Sequence, residues 1–538
     1  MQANFHFSEN SGKISGKGLK NAFVLVIILY VNTGFTRTGG IMTEKDFLEL
    51  KNGTDVRGTA IDAPNDPVTL TDEAVLAIAK AFCVWLQGKG LAKATIAVGH
   101  DSRLSAGRIS KALTEGITSC GFDVILTGLS STPSMFMLLQ DDFGADASIM
   151  ITASHLPYQK NGLKFFVKEG GLEGSDISEI LKLAAEGAEI KAEKGNVSEK
   201  SYIEKYSADL VEKVRKATGK EQPLKGKKIL VDAGNGAGGF YVDLVLKPLG
   251  ADTDGSQFLK PDGNFPNHIP NPENADAMKS VCAAVKKHKA DFGIIFDTDV
   301  DRAGAVASNG EEINRNRLIA LISAILLSER KGAYIVTDSV TSDGLASFIA
   351  RHGGVHHRFK RGYKNVINES KRLNAEGKYS PLAIETSGHA ALAENYFLDD
   401  GAYLVTRLLI ALANSRNGLM GLIADLPEPV EAAEARLGFE AGVDFKTLGA
   451  KVIDDLKAYA AGRPYLIPAP ENYEGIRLNF APSHGNGWAL VRMSLHEPIM
   501  PVNLESNRAG GNRDIAHELV SFLKQYPFLK LENLEKLL

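Results

Sequence analysis

The sequence predicts layered α/β domains, three or four in number, on two observations. Strand-length apolar runs recur along the chain, each closed by turn residues and followed by a helical pattern, which is how α/β layers read in sequence. The chain also has 538 residues, more than one hydrophobic core supports.

In chain order the runs include ATIAVGHDSR (94–103), FDVILTGLSSTP (122–133), ASIMITASH (147–155), KKILVDAGNGAGG (227–239), DFGIIFDTDVDR (291–302), AYIVTDSVTS (333–342) and LAIETSGHAAL (382–392). Helical periodicity marks DEAVLAIAKAFCVWLQ (72–87) and RLIALISAILLSER (317–330). The 53 glycines suit tight turns between such elements. Segment 172–205, rich in Glu, Lys, Ala and Ser, reads as a solvated helix and connector. Boundaries near 205, 310 and 426 divide the chain into 42–205, 206–310, 311–425 and 426–538. Residues 1–41 read as an extension ahead of Met42. Their apolar run AFVLVIILYV (22–31) is too short to span a bilayer, and no clear small-x-small cleavage site follows it.

Composition is 44% hydrophobic and 23% charged, with 61 basic and 65 acidic residues and a net charge of −4. That provides no general attraction to nucleic acid or to an anionic membrane. Cys83, Cys120 and Cys282 are far apart and lack CxxC spacing. This argues against a disulfide framework or zinc site and fits a reducing cytoplasm.

In open α/β sheets, ligands bind beyond the carboxyl ends of strands, and most unusual loops here sit there. DTDVDR follows such a strand. In an extended chain, Asp297, Asp299 and Asp301 would face one side. Three close carboxylates repel unless a cation sits among them, and oxygen ligands suit Mg²⁺ or Ca²⁺. An EF-hand is excluded because Arg302 and Ser308 stand where Gly and Glu are needed. In TASH, Ser154 could be a nucleophile, His155 an acid/base helper and Lys164 a phosphate or proton-transfer partner. An N-cap serine beside an ordinary histidine explains that loop as well. Gly234, Gly236 and Gly239, with Asp252 and Asp254 beyond, match a dinucleotide fingerprint, and a tight strand-to-helix turn accounts for them equally. ETSGH offers Glu385 and Ser387 to sugar hydroxyls. FKRGYK (359–364) could hold a phosphate. Arg492 and Ser494 of RMSLHEP could grip one, as could Arg508 and Arg513 of SNRAGGNR. A nucleophile, a divalent-metal site, a hydroxyl reader and phosphate grips together fit phosphoryl transfer on a sugar.

From about Lys51 onward the chain resembles the α-D-phosphohexomutase family, closest to phosphomannomutase/phosphoglucomutase. The resemblance rests on GTDVRG (53–58), GHDSR (99–103), TASHLPYQKNGLK (152–164), DGNFPNHIPNP (262–272), DTDVDR (297–302), GYK (362–364), ETSGH (385–389) and RMSLHEP (492–498), in family order. It implies three related α/β domains with mixed sheets, plus a smaller C-terminal α+β domain, around a central cleft. It implies that Ser154 is carried as phosphoserine. It further implies that phosphate moves between C1 and C6 of glucose or mannose phosphates through a hexose 1,6-bisphosphate, which also activates the enzyme. The implied Mg²⁺ ligands are Asp297, Asp299, Asp301 and the phosphoserine. Lys164 and Arg57 become candidates for proton transfer and charge stabilisation, with His155 and Arg302 lining the same centre. Glu385 and Ser387 would read the 3- and 4-hydroxyls, aided by His389 and by Gly362, Tyr363 and Lys364. Arg492, Ser494 and His496 would hold the non-reacting phosphate. The chain departs from the family pattern at Leu495 and His496, at Thr386 and at Thr298. A phosphoglucosamine mutase and a non-catalytic sugar-phosphate-binding paralogue are the alternatives.

Overall fold

The computed structural model describes residues 42–415, 418–470, 472–494 and 497–538. The extension expected at 1–41 and the Leu495–His496 pair lie outside the described residues.

Four sheets follow one another along the chain. The first has eight strands. Its centre is parallel, with Thr95–His100 between Asp123–Leu129 and Ala147–Ile151. Its other flank turns antiparallel, through Lys160–Val167 to Asp55–Thr59. The helix Asp72–Gly88 covers it and shows why such segments form. The Thr71 hydroxyl accepts the Ala74 N–H at 3.2 Å, and Asp72 and Glu73 occupy the first turn, where the helix dipole favours negative charge. Val75, Ile78, Phe82 and Leu86 recur at helical spacing, and all are fully buried.

The second sheet has four strands, with Phe292–Phe296 parallel to Ile229–Asp232 and antiparallel to Ala303–Ala307. The third has five, joined by two parallel and then two antiparallel pairings. The fourth is six-stranded and wholly antiparallel, packed against the helices Phe445–Ala461 and Gly511–Leu523. Three mixed α/β layers and a smaller sheet-rich α+β unit are the architecture expected above.

One expectation needs correction. Segment 172–205 is more than a solvated connector. Its helix Gly174–Ala185 buries Ile177, Ile180, Leu181 and Ala184, and Val197–Glu199 adds an edge strand beside Asp123–Leu129. The abundance of Glu and Lys hides an apolar stripe at helical spacing.

A single apolar cluster runs through the first three layers, including Phe136, Phe166, Tyr241, Phe296, Ile319 and Leu408. The fourth sheet has its own cluster. A polar clasp joins it to the third. Arg477 lies 3.5 Å above the Trp488 ring and donates to the carbonyls of Ser339 (3.1 Å) and Thr341 (3.0 Å) and to Asp343 (2.8 Å). Among the described residues no helix is long and apolar enough to cross a membrane.

Candidate active site

The apolar strand Ala147–Ile151 ends in Thr152-Ala153-Ser154-His155, and its hairpin partner pairs Met150 with Lys164. That register places the serine loop and Lys164 at one end of the first sheet. Ser154 is buried and adopts φ +51°, a left-handed conformation costing about 1 kcal/mol or more for a residue with a Cβ. The loop is held in place. The Ser154 N–H donates to Thr152 Oγ1 at 2.9 Å. The buried Arg103 guanidinium donates to the carbonyls of Ser154 (2.5 Å), Leu156 (2.6 Å), Pro157 (2.8 Å) and Lys160 (2.8 Å), with its Nε 3.4 Å from Asp101. Arg103→Met leaves those acceptors and a buried carboxylate unpaired. It is expected to lower stability by about 3–5 kcal/mol, as read by urea unfolding.

The three aspartates converge, with ligand oxygens within 4.8 Å of one another and all three side chains buried. They do so on a turn, however, and not by the alternation of an extended strand. The strand stops at Phe296, and Val300 takes φ +68°. The turn leans on AGNGAGG: Ala237 N–H donates to the Thr298 carbonyl at 2.8 Å, and a Cβ on Gly236 would lie 2.6 Å from that oxygen. The glycines thus seat the aspartate turn, which is the tight-packing explanation and not the dinucleotide one.

Two cations face the carboxylates. Arg302 Nε donates to Asp297 Oδ2 at 3.0 Å. Lys164 Nζ binds Asp299 Oδ2 at 3.1 Å and also Asp301 Oδ2. The Thr132 hydroxyl donates to Asp299 Oδ2 at 2.5 Å. Asp299 Oδ1 and Asp301 Oδ1 remain buried without a hydrogen-bond partner. Burial and then the Asp301 charge push the Asp297 carboxyl well above the usual range. Asp301 is also buried, but Lys164, His389 and Arg302 hold it below that range. Two orphaned carboxylate oxygens and a repelling third carboxylate form an all-oxygen set that fits a hard divalent cation.

Ser154 Oγ donates to Asp297 Oδ2 at 3.1 Å and accepts from Arg302 Nη2 at 2.6 Å. The same Nη2 donates to His155 Nδ1 at 2.6 Å, and His155 Nδ1 lies 3.4 Å from Ser154 Oγ. Burial and the Arg302 and Arg57 charges drive the His155 pKa far down. His155 is therefore a neutral acceptor in this arrangement and not an acid. Arg57 donates to Ala153 O at 3.3 Å and pairs with Asp55 at 2.8 Å. Despite burial, neighbouring carboxylates raise the pKa of both Lys164 and Arg57, so both stand here as fixed positive charges.

The ETSGH loop docks onto the aspartate turn. Arg302 pairs with His389 across a β-bridge, and Ala303 N–H reaches Gly388 O at 3.4 Å. Glu385 Oε1 accepts the Gly362 N–H at 2.6 Å. Ser387 Oγ is buried without a partner and so is available to a ligand. Thr386 is turned inward, its hydroxyl donating to Asp338 at 2.8 Å. His389 binds Asp399 and stacks on Tyr363, ring centroids 5.3 Å apart. Asp399 and Asp301 outweigh its burial and raise it to about 9. Tyr363 and Lys364 do not join Glu385. Tyr363 bonds Thr54 Oγ1 at 2.7 Å, and Lys364 bonds Gly171 O at 2.7 Å and Glu173 at 3.1 Å, which ties the third layer to the first. Arg492 ends the strand Gly487–Val491 with its Nε buried and unpartnered. Ser494 Oγ accepts the Glu497 N–H at 3.3 Å.

Burial and then the Asp338 charge raise Glu385 from 4.5 to about 7. Because its folded pKa lies above the unfolded one, its contribution to stability is complete below 4.5 and is lost as pH rises through about 7. Urea unfolding across that window is expected to show Glu385→Gln losing less stability than the wild type, by roughly 3 kcal/mol.

Arg103, Thr132, Asp338 and Asp399 were not marked as functional by sequence reasoning. Arg103 lay inside the quoted GHDSR segment. Thr132 reaches Asp299 across 167 positions, a separation that leaves no local pattern.

Residues 49–191, 200–310 and 314–430 match the family models for phosphoglucomutase/phosphomannomutase alpha/beta/alpha domains I, II and III. A phosphoglucomutase of Neisseria gonorrhoeae is 30% identical over 465 residues, covering 86% of this chain and 95% of that protein. A phosphomannomutase/phosphoglucomutase of Pseudomonas putida is 30% identical over 414 residues, covering 77% and 83%. A solved phosphoglucomutase/phosphomannomutase family protein from Burkholderia thailandensis superposes with a TM-score of 0.74 at 27% identity, covering 90% of this chain and 98% of that one. The chain belongs to the phosphoglucomutase/phosphomannomutase family.

Proposed function

We propose that the protein is a hexose-phosphate mutase that moves phosphate between C1 and C6 of glucose and mannose phosphates. Ser154 is the carrier. The phosphoserine P–O bond breaks as a sugar hydroxyl oxygen forms a new one, the hydroxyl's proton passing to the released Ser154 oxygen, giving a bisphosphorylated sugar. After that sugar turns round, Ser154 takes the other phosphoryl group and the isomeric monophosphate leaves. The observation that carries this reading is the meeting of the serine loop and the aspartate turn, from two different layers, at one hydroxyl: Ser154 Oγ lies 2.6 Å from Arg302 Nη2 and 3.1 Å from Asp297.

Arg302 and Lys164 offset charge on the phosphoryl oxygens. Glu385 accepts from sugar hydroxyls and Ser387 bonds them, while Arg492 holds the phosphate that is not reacting. Asp297, Asp299, Asp301 and the phosphoserine would hold Mg²⁺, which when bound stabilises developing phosphoryl charge. Tyr363 and Lys364 tie the third layer to the first through Thr54, Gly171 and Glu173, and Asp399 holds His389.

A coupled assay with glucose 1-, mannose 1- and glucosamine 1-phosphate, Mg²⁺ and a trace of hexose 1,6-bisphosphate tests this. Turnover of the first two is expected. Turnover of glucosamine 1-phosphate alone would reassign the substrate, and inactivity on all three would sink the reading.

A further inference from the structure

Two guanidinium groups near the third and fourth sheets lack the hydrogen-bonded carboxylate that such groups normally find. Arg492 is 8% exposed, its Nε has no partner, and its Nη1 meets only the Met493 carbonyl at 3.5 Å. Arg361, in the FKRGYK loop, stands 3.7 Å from Glu273 and 3.9 Å from Asp338, too far for a hydrogen bond. Among the described residues its guanidinium makes no hydrogen bond, and its side chain is 26% exposed.

Backbone contacts bring the two together. The Arg361 N–H donates to Glu474 Oε1 at 3.1 Å, and Glu474 also takes the Ser339 hydroxyl. The next residue, Gly475, lies directly against Arg492. With φ +58°, a Cβ there would sit 2.7 Å from Arg492 Cα, so the approach needs glycine. Burial lowers the Arg492 pKa; the Glu474 charge opposes that fall and the Arg361 charge adds to it. Two guanidinium groups linked through Glu474–Gly475, each with spare donors, can together take a doubly charged anion.

We propose that Arg361 is a second phosphate ligand: from the third layer it closes with Arg492 of the fourth on the phosphate that is not being transferred. This rests on the hexose-phosphate reading above. The fourth sheet has a separate apolar core, so substrate phosphate becomes part of what draws the two layers together.

The test is steady-state kinetics of the full chain with glucose 1-phosphate, with inorganic phosphate as competitive inhibitor. Arg361→Gln is expected to raise KM by about 10- to 100-fold and to weaken phosphate inhibition in parallel. Its kcat should stay within about threefold, because binding is lost equally in ground and transition states. Arg361→Lys keeps the charge beside Glu273 and Asp338 but not the two-pronged geometry. Its KM is expected between wild type and Arg361→Gln, and it serves as the test variant if Arg361→Gln does not fold. Wild-type KM in the folded variants overturns the proposal. So does a raised KM with unchanged phosphate inhibition, which would make Arg361 only a support for the Glu385 loop. Wild-type protein inert on every hexose phosphate would instead overturn the underlying function.

Discussion

Ser154→Ala is expected to cut mutase turnover by about three or more orders of magnitude. The change removes the hydroxyl that meets both Arg302 Nη2, at 2.6 Å, and Asp297, at 3.1 Å. His155 does not replace it, because its Nδ1 already accepts from the same arginine. The loop itself should survive. Arg103 grips it by four carbonyls, none of which involves the serine hydroxyl. Melting temperature should therefore stay near wild type while activity disappears. Labelled hexose bisphosphate should transfer label to wild type and not to the variant. Activity above roughly a tenth of wild type would remove Ser154 as the carrier.

Stripping divalent cations with a chelator is expected to bring turnover to background, with recovery on adding Mg²⁺. The cause is electrostatic. Three buried carboxylates face Arg302 and Lys164, and two oxygens, Asp299 Oδ1 and Asp301 Oδ1, have no partner. A cation that binds the folded state alone also stabilises it, by about 2.7 kcal/mol at a hundredfold excess over Kd. Melting temperature should rise with added Mg²⁺, and Asp299→Asn should lose most of that rise. The thermal readout is independent of catalysis, so it separates loss of metal from loss of a catalytic group. Full activity after chelation would show that the aspartate turn has another role.

The sequence by itself determined the elements and the chemical inventory, because both are written in local order. Apolar runs closed by turn residues mark strands such as Phe292–Phe296, and the buried stripe of Asp72–Gly88 marks its helix. The serine, the aspartates and the arginine at 302 are visible as short motifs. Tertiary structure alone decided what each group can do. The aspartates converge through a positive φ at Val300 that no periodicity announces. Lys164 and Arg57 are candidates for proton transfer as residue types, and their neighbouring carboxylates raise the pKa of both in this arrangement. Thr386 occupies a sugar-loop position and yet turns to Asp338, while Tyr363 and Lys364 turn to the first layer. A side chain's protonation and direction are set by what lies within a few ångströms, and here many of those neighbours, such as Asp299 beside Lys164 and Thr54 beside Tyr363, come from segments more than a hundred residues away.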